Sequence, residues 1–226
     1  MKRLLTFAIP AAAIAGLFLP ACGFGQGKTS TFVSPDIVTA GDISYPVDTT
    51  ATGLVTLLLS LSSSAQVQNV QVLRDIPPLT SAAQAAVANW AFKPATYNGH
   101  TVASAIPVNV VFSPFNPGDT ETNPLSVAPV PPASPTGAAQ YTPPQITSAA
   151  YATYPPNTLA QGTVVLDVTI GKSGQVVTVI AVRGVGALTQ SAISAVKSWA
   201  YNPATVKGKP VTGKLVVAFV FQRNLN

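Results

Sequence analysis

Acid–base, nucleophilic and metal-assisted chemistry all need reactive side chains gathered in one place, and this chain has few of them. It carries one histidine, His100, one cysteine, Cys22, one glutamate, Glu121, and six aspartates, Asp36, Asp42, Asp48, Asp75, Asp119 and Asp167. The acids show no paired spacing that would set a general acid beside a general base. Asp119 and Glu121 fall in a proline-rich stretch, and Asp167 alternates with apolar residues on the outward side of a strand pattern. His100 follows Gly99 in a turn pattern, the setting of a solvated loop residue. There is no nucleophile motif, glycine-rich phosphate cradle or metal-ligand cluster. The chain reads as a non-enzyme, with no catalytic residue, no cofactor-binding residue and no metal ligand.

Cys22 is the one side chain whose surroundings point to covalent chemistry. It follows the basic "MKR" and the apolar "LLTFAIPAAAIAGLFLPA", the order of an export signal. Leu19, Ala21 and Cys22 resemble the lipobox of bacterial lipoproteins, whose cysteine is lipidated and becomes the mature N-terminus. Two other outcomes stay open. One is cleavage after Gly23, in the small-x-small context Ala21-Cys22-Gly23. The other is retention as an anchor, since about 18 apolar residues is near the lower limit for a span. All three place the remainder outside the cytoplasm, so residues 1–22 are set apart as the signal. With no second cysteine, no intramolecular disulfide braces the fold.

Only 8% of the residues are charged and 47% are hydrophobic, which favours packed domains over global disorder. The formal charge is +5, but Lys2 and Arg3 belong to the signal and the other basic residues stand singly. A chain without a basic run is a poor partner for nucleic acid, which is excluded.

Trp90 and Trp199, the only two tryptophans, stand 109 residues apart. Tyr45 and Tyr154, Gly53 and Gly162, Pro94 and Pro203, Gly99 and Gly208, and Phe112 and Phe221 keep the same spacing. Sliding residues 35–112 onto 144–221 without a gap matches about 30 of 78 positions, an internal duplication.

The elements within a copy follow from its periodicities. In "GTVVLDVTI", Val164, Leu166, Val168 and Ile170 alternate as the buried side of a strand. "GKSGQ" turns the chain and "VVTVIAVR" completes a hairpin. Leu188, Ala192, Ala195, Val196 and Trp199 then recur at three- and four-residue steps, the stripe of an amphipathic helix, which Pro203 is expected to end. "KLVVAFVFQ" is the last strand, with Val217, Phe219 and Phe221 on one side. The first copy repeats the plan through Val55, Leu57, Leu59 and Leu61, then Leu79, Ala83, Ala86, Val87 and Trp90, then "AIPVNVVF". The expected fold class is α+β: two tandem small domains, each a three-stranded, mainly antiparallel sheet packed by one helix in the order β-β-α-β. The tryptophan closes the end of each core. The domains span 30–112 and 144–226. Between them, residues 113–143 read as a proline-rich extended linker, able to separate the domains by up to about 95 Å at ~3.1 Å per residue.

Each copy resembles the C-terminal domain of the TonB family. The second copy supplies Tyr154-Pro155, Gly162-Thr163-Val164, Leu188 through Trp199-Ala200-Tyr201-Asn202-Pro203-Ala204, Gly208 and Phe221. The first supplies Tyr45-Pro46, Gly53, Leu79, Trp90-Ala91-Phe92-Lys93-Pro94-Ala95, Gly99 and Phe112. The resemblance implies an exported, non-enzymatic protein of a Gram-negative envelope, in the periplasm or anchored to a membrane, lipid on Cys22 being one route. Its partner would be a protein or extended peptide of the envelope, an outer-membrane receptor segment among them, with a link to TonB-dependent transport. The alternative is an envelope scaffold, a structural lipoprotein that associates through its sheets. In the family the final strand is the edge that receives a partner strand. Pro107 lacks an amide donor where the second copy has Val216, so the expected partner-binding edge is Leu215, Val216, Val217, Ala218, Phe219, Val220 and Phe221. The first copy would then serve mainly as a spacer or a weaker site.

Overall fold

The structure, a computed structural model, describes residues 31–115, 124–131, 140–156 and 158–223. Cys22 and the rest of the export signal lie outside the described residues. The first copy opens with two short strands, β1 (Phe32–Val33) and β2 (Asp36–Thr39). A long hairpin follows, β3 (Gly53–Leu61) and β4 (Val67–Arg74), and then the helix α1 (Leu79–Val87). Short strands β5 (Ala91–Lys93), β6 (Ala95–Tyr97) and β7 (His100–Val102) lead to the final strand β8 (Ser104–Phe115). After β9 (Pro124–Leu125) the second copy runs through the same series. It has β10 (Tyr141–Thr142), β11 (Gln145–Ala150), β12 (Gly162–Ile170), β13 (Val176–Arg183) and α2 (Gly186–Ser198). It closes with β14 (Ala200–Asn202), β15 (Ala204–Val206), β16 (Lys209–Val211) and β17 (Gly213–Arg223). Among the described residues no helix is long and apolar enough to cross a membrane.

The shared motif residues have local physical roles. The Tyr45 hydroxyl donates to the Ala51 carbonyl, and the Tyr154 hydroxyl donates to the Ala160 carbonyl. Each tyrosine ring meets the last phenylalanine of its copy edge-on, Tyr45 on Phe112 at 5.5 Å and Tyr154 on Phe221 at 5.9 Å. The Tyr-Pro segment is thereby pinned over the far end of the final strand. Asn98 and Gly99 have φ of 52° and 82°, and Lys207 and Gly208 have 50° and 74°. Two successive left-handed residues make the tight hairpin turn that suits strand twist, and glycine adopts that conformation without steric cost.

Both helices stop before the expected prolines, at Val87 and Ser198. Trp199 is already extended, at φ −74° and ψ 161°, and β14 begins at the next residue. The pull comes from β14, which pairs with β11 while the buried Tyr201 hydroxyl donates to the Val196 carbonyl at 2.7 Å. Trp199 is therefore the first residue beyond the helix, with its ring in the core and its Nε1 donating to the Ala150 carbonyl at 3.0 Å.

The main strands of the two copies join in one six-stranded sheet, in the order β13-β12-β17-β8-β3-β4. This replaces the expected pair of separate three-stranded sheets. Within each copy the strands are antiparallel, and at the seam β17 and β8 run parallel. Paired residues share a face, so the registers sort the core. Val55, Leu57, Leu59, Ile106, Val108 and Val110 lie on one face with Val216, Ala218 and Val220 of the other copy, beneath Leu79, Ala83 and Val87 of α1. Leu166, Val168, Val217, Phe219 and Phe221 lie on the opposite face with Leu54 and Val111, beneath Leu188, Ala192 and Val196 of α2. The helices thus cover opposite faces, and each core takes residues from both copies.

Because of this arrangement β12 is buried on both sides, including Thr163, Val165 and Asp167, which its alternation places outward in an isolated copy. The linker is also partly built into the fold. Pro124 and Leu125 pair with β11, Leu125 is buried, Tyr141 and Thr142 form β10, and Val127 packs on the second core. Its described parts are docked rather than serving as a free spacer.

A shared sheet predicts shared unfolding. Trp199→Ala should cost about 3–5 kcal/mol, the usual penalty for truncating a buried large aromatic. It leaves Trp90 as the single tryptophan, in the other copy, which excitation at the red edge of the tryptophan band reports apart from the tyrosines. Trp90 fluorescence and far-UV circular dichroism should shift down together in a thermal melt. A Trp90 transition that stays at the wild-type midpoint would show that the copies unfold separately.

Candidate functional site

Residues Leu215–Phe221 were expected as an open edge, and the structure puts them inside the sheet. On one side β17 pairs with β12 from Gly162↔Phe221 to Ile170↔Gly213. On the other it pairs with β8 from Val216↔Val108 to Arg223↔Phe115. The seam begins one residue after Pro107, which lies opposite Leu58 of β3. The expected contrast between a donating second copy and a non-donating first is replaced by mutual occupation. Each final strand is the strand that covers the other's edge. Buried Asn109 marks the seam, accepting from Thr56 Oγ1 at 3.2 Å and donating from Nδ2 to the Val216 carbonyl at 3.5 Å.

Polar contacts lock the N-terminal arm of the first copy across the second. The Ile43 amide donates to Thr163 Oγ1 at 2.9 Å, and that hydroxyl donates to the Ile43 carbonyl at 3.2 Å. Asp42 accepts from the Thr163 amide at 3.2 Å and pairs with Arg183 at 2.8 Å. Lys214 Nζ bridges Asp36 at 2.9 Å and Asp167 at 2.6 Å. Asp167 is thus not an outward surface acid, because the arm of the other copy covers it. Sequence reasoning missed this cluster. A lone Asp and a lone Lys in otherwise apolar strands were the available signal, since such charges are buried only when paired.

The ionisation of the cluster follows from its burial. Removal from water pushes the Asp167 carboxyl up to about 6, while the hydrogen bond and charge of Lys214 pull it down and the nearby Asp36 charge adds to the rise. Burial pulls the Lys214 ammonium down, but its hydrogen bonds to Asp167 and Asp36 and their charges outweigh that and raise it. His100 is exposed on β7. Among the described residues no group of three or more His, Cys, Asp or Glu is placed to hold a metal ion.

The open edges of the sheet are instead its outermost strands, β4 and β13. Each is the second strand of its copy's long hairpin and, among the described residues, is paired on one side only. Each pairing shifts register near both ends, leaving a short regular stretch between bulges.

The family model described as Gram-negative bacterial TonB protein C-terminal matches residues 47–114 and 151–222. The chain belongs to that family. It carries two tandem copies of the domain, which together occupy more than half of its length. No curated protein and no solved structure matches the chain significantly. Membership makes this a TonB-like envelope protein from a family of non-enzymatic protein-interaction domains. The two copies of the family domain are the two halves of the sheet.

The lock has a pH signature. Asp167 holds its proton more tightly folded than unfolded, so its favourable contribution is complete below its ordinary value of 3.8 and is lost as pH rises through about 6. Lys214 is raised from an already alkaline value, so it stays charged throughout this window. The melting temperature of the wild type should therefore fall as pH rises from 3.8 to about 6. Asp167→Asn should flatten that dependence. An unchanged slope in the variant would remove Asp167 as its source.

Proposed function

We propose that this TonB-family protein is a non-enzymatic binding protein of a Gram-negative cell envelope. It binds an extended peptide or protein segment by strand addition at a sheet edge, with an outer-membrane receptor segment as the partner class and a link to TonB-dependent transport. The observation that carries the reading is the pair of one-sided strands β4 and β13 at the ends of a sheet whose final strands are already paired. A one-sided strand presents a row of free backbone donors and acceptors, which an extended segment satisfies. The partner strand adds at an outer edge, because the place on β17 is taken by β8. A second reading, an envelope scaffold that associates through its sheets, is favoured by that same closure of the final strands.

The test places a photo-cross-linking residue at Gln71 on β4, at Thr178 on β13 and, as a control, at exposed Gln190 on α2, in the native host. Adducts with envelope proteins should form at an edge position and be absent at Gln190. Equal adducts at Gln190, or none at either edge, would reject strand addition.

Membrane attachment through lipid on Cys22 belongs to the same proposal. Lipid labelling of the envelope protein should disappear in Cys22→Ser, and labelling that survives the substitution would exclude lipidation at this residue.

A further inference from the structure

The duplication supplies an internal comparison of the two open edges. Positions Gln68, Asn69 and Gln71 of β4 correspond to Val177, Thr178 and Ile180 of β13. All six are exposed. Val177 and Ile180 are 56% and 52% exposed, large apolar side chains where the first copy keeps amides. β2 lies beside β13 and adds Val38, 45% exposed, whose counterpart in the second copy is Thr147. Two apolar surface residues thus stand on one edge strand and a third on the strand beside it, and their three equivalents in the other copy are polar.

Edges that stay uncovered are kept polar or charged, which prevents permanent association. β13 has no charged residue before Arg183, and Asp42 engages the Arg183 guanidinium. Between its two bulges the edge therefore carries no free charge, and it has a β-branched run suited to pairing.

We propose that the β13 edge is the interface with a second copy of this chain, the two β13 strands pairing antiparallel about a two-fold axis. The β4 edge of each protomer stays available to a partner. Self-complementarity selects this occupant. A two-fold centred on Val179 sets Thr178 opposite Ile180 of the second copy, within the regular stretch Thr178–Ala181. It sets Arg183 opposite Gln175 at each end, so no like charges meet. Ile180 of both copies then lies on a single face. The interface continues the mode of assembly already present in the chain, where β8 and β17 close each other's edges. It stands independently of the partner reading, because a dimer through β13 needs no foreign strand.

Sedimentation equilibrium of the exported chain tests the proposal. The wild type should show a concentration-dependent dimer. The double variant Val177→Gln, Ile180→Gln installs the residues that β4 carries at equivalent positions, and it should weaken the dimer by about tenfold or more. Gln71→Lys on β4 should leave the dimer unchanged. Hydrogen exchange on the wild type gives a second readout that needs no variant: the Thr178–Ala181 edge amides should be protected at high concentration and lose protection on dilution. A wild type that remains monomeric throughout, a double variant that dimerises with the wild-type constant, or edge amides indifferent to concentration would overturn the proposal.

Discussion

The fold depends on the parallel pairing of β8 with β17. Without it, each copy would be a three-stranded sheet with one helix and one bare apolar face. Val216, Ala218 and Val220 would face water on one copy, and Leu54 and Val111 on the other. With it, every residue from Leu215 to Phe221 is buried, and each helix covers strands from both copies. A two-sided strand also requires that its two helices take opposite faces, which inverts one copy relative to the other. Equivalent residues then meet at the centre, as Phe32 and Tyr141 do with ring centroids 4.4 Å apart.

Much of one copy was legible in the sequence. The helix stripe, hairpin, Tyr-Pro pin and glycine turn are local, and their signals lie within a few residues. Helix ends were less legible, since α2 stops where β14 needs Trp199 extended rather than where Pro203 forbids a helix. The seam was not read because period-two alternation describes one face at a time. "LVVAFVF" is apolar on both, the pattern of a strand covered on both sides. Asp167 was misplaced for the same reason: its face is solvent in an isolated copy and becomes core only when the arm of the other copy crosses it.

Duplication also lets the two halves of the junction differ. On the second copy's face, half-buried Asp36 and Lys214 form an ionic cluster around buried Asp167. The equivalent positions on the first copy's side are Gln145, Leu58 and Ala105, and there buried Ala152 packs in the cluster that includes Leu54. Buried ion pairs contribute little net stability because desolvation offsets their attraction, but removing one partner is costly. Their value here is discrimination. Two first copies pairing with each other would bring Asp36 arms onto Leu58, leaving the acid without its lysine. Two second copies would bury Asp167 and Lys214 without an Asp36. Only the mixed pair satisfies all three charges.

The same divergence separates the outer edges. A vacant β4 is solvated through Gln68, Asn69 and Gln71, so it can alternate between water and a partner strand at small cost. A vacant β13 leaves Val177 and Ile180 in water, which favours constant cover. One copy has an edge that tolerates exposure, and the other lacks that tolerance and carries the ionic cluster that fixes its mate. The repeat is therefore two copies of one fold with different work: the junction fixes which copies pair, and the outer edges differ in what they can leave uncovered.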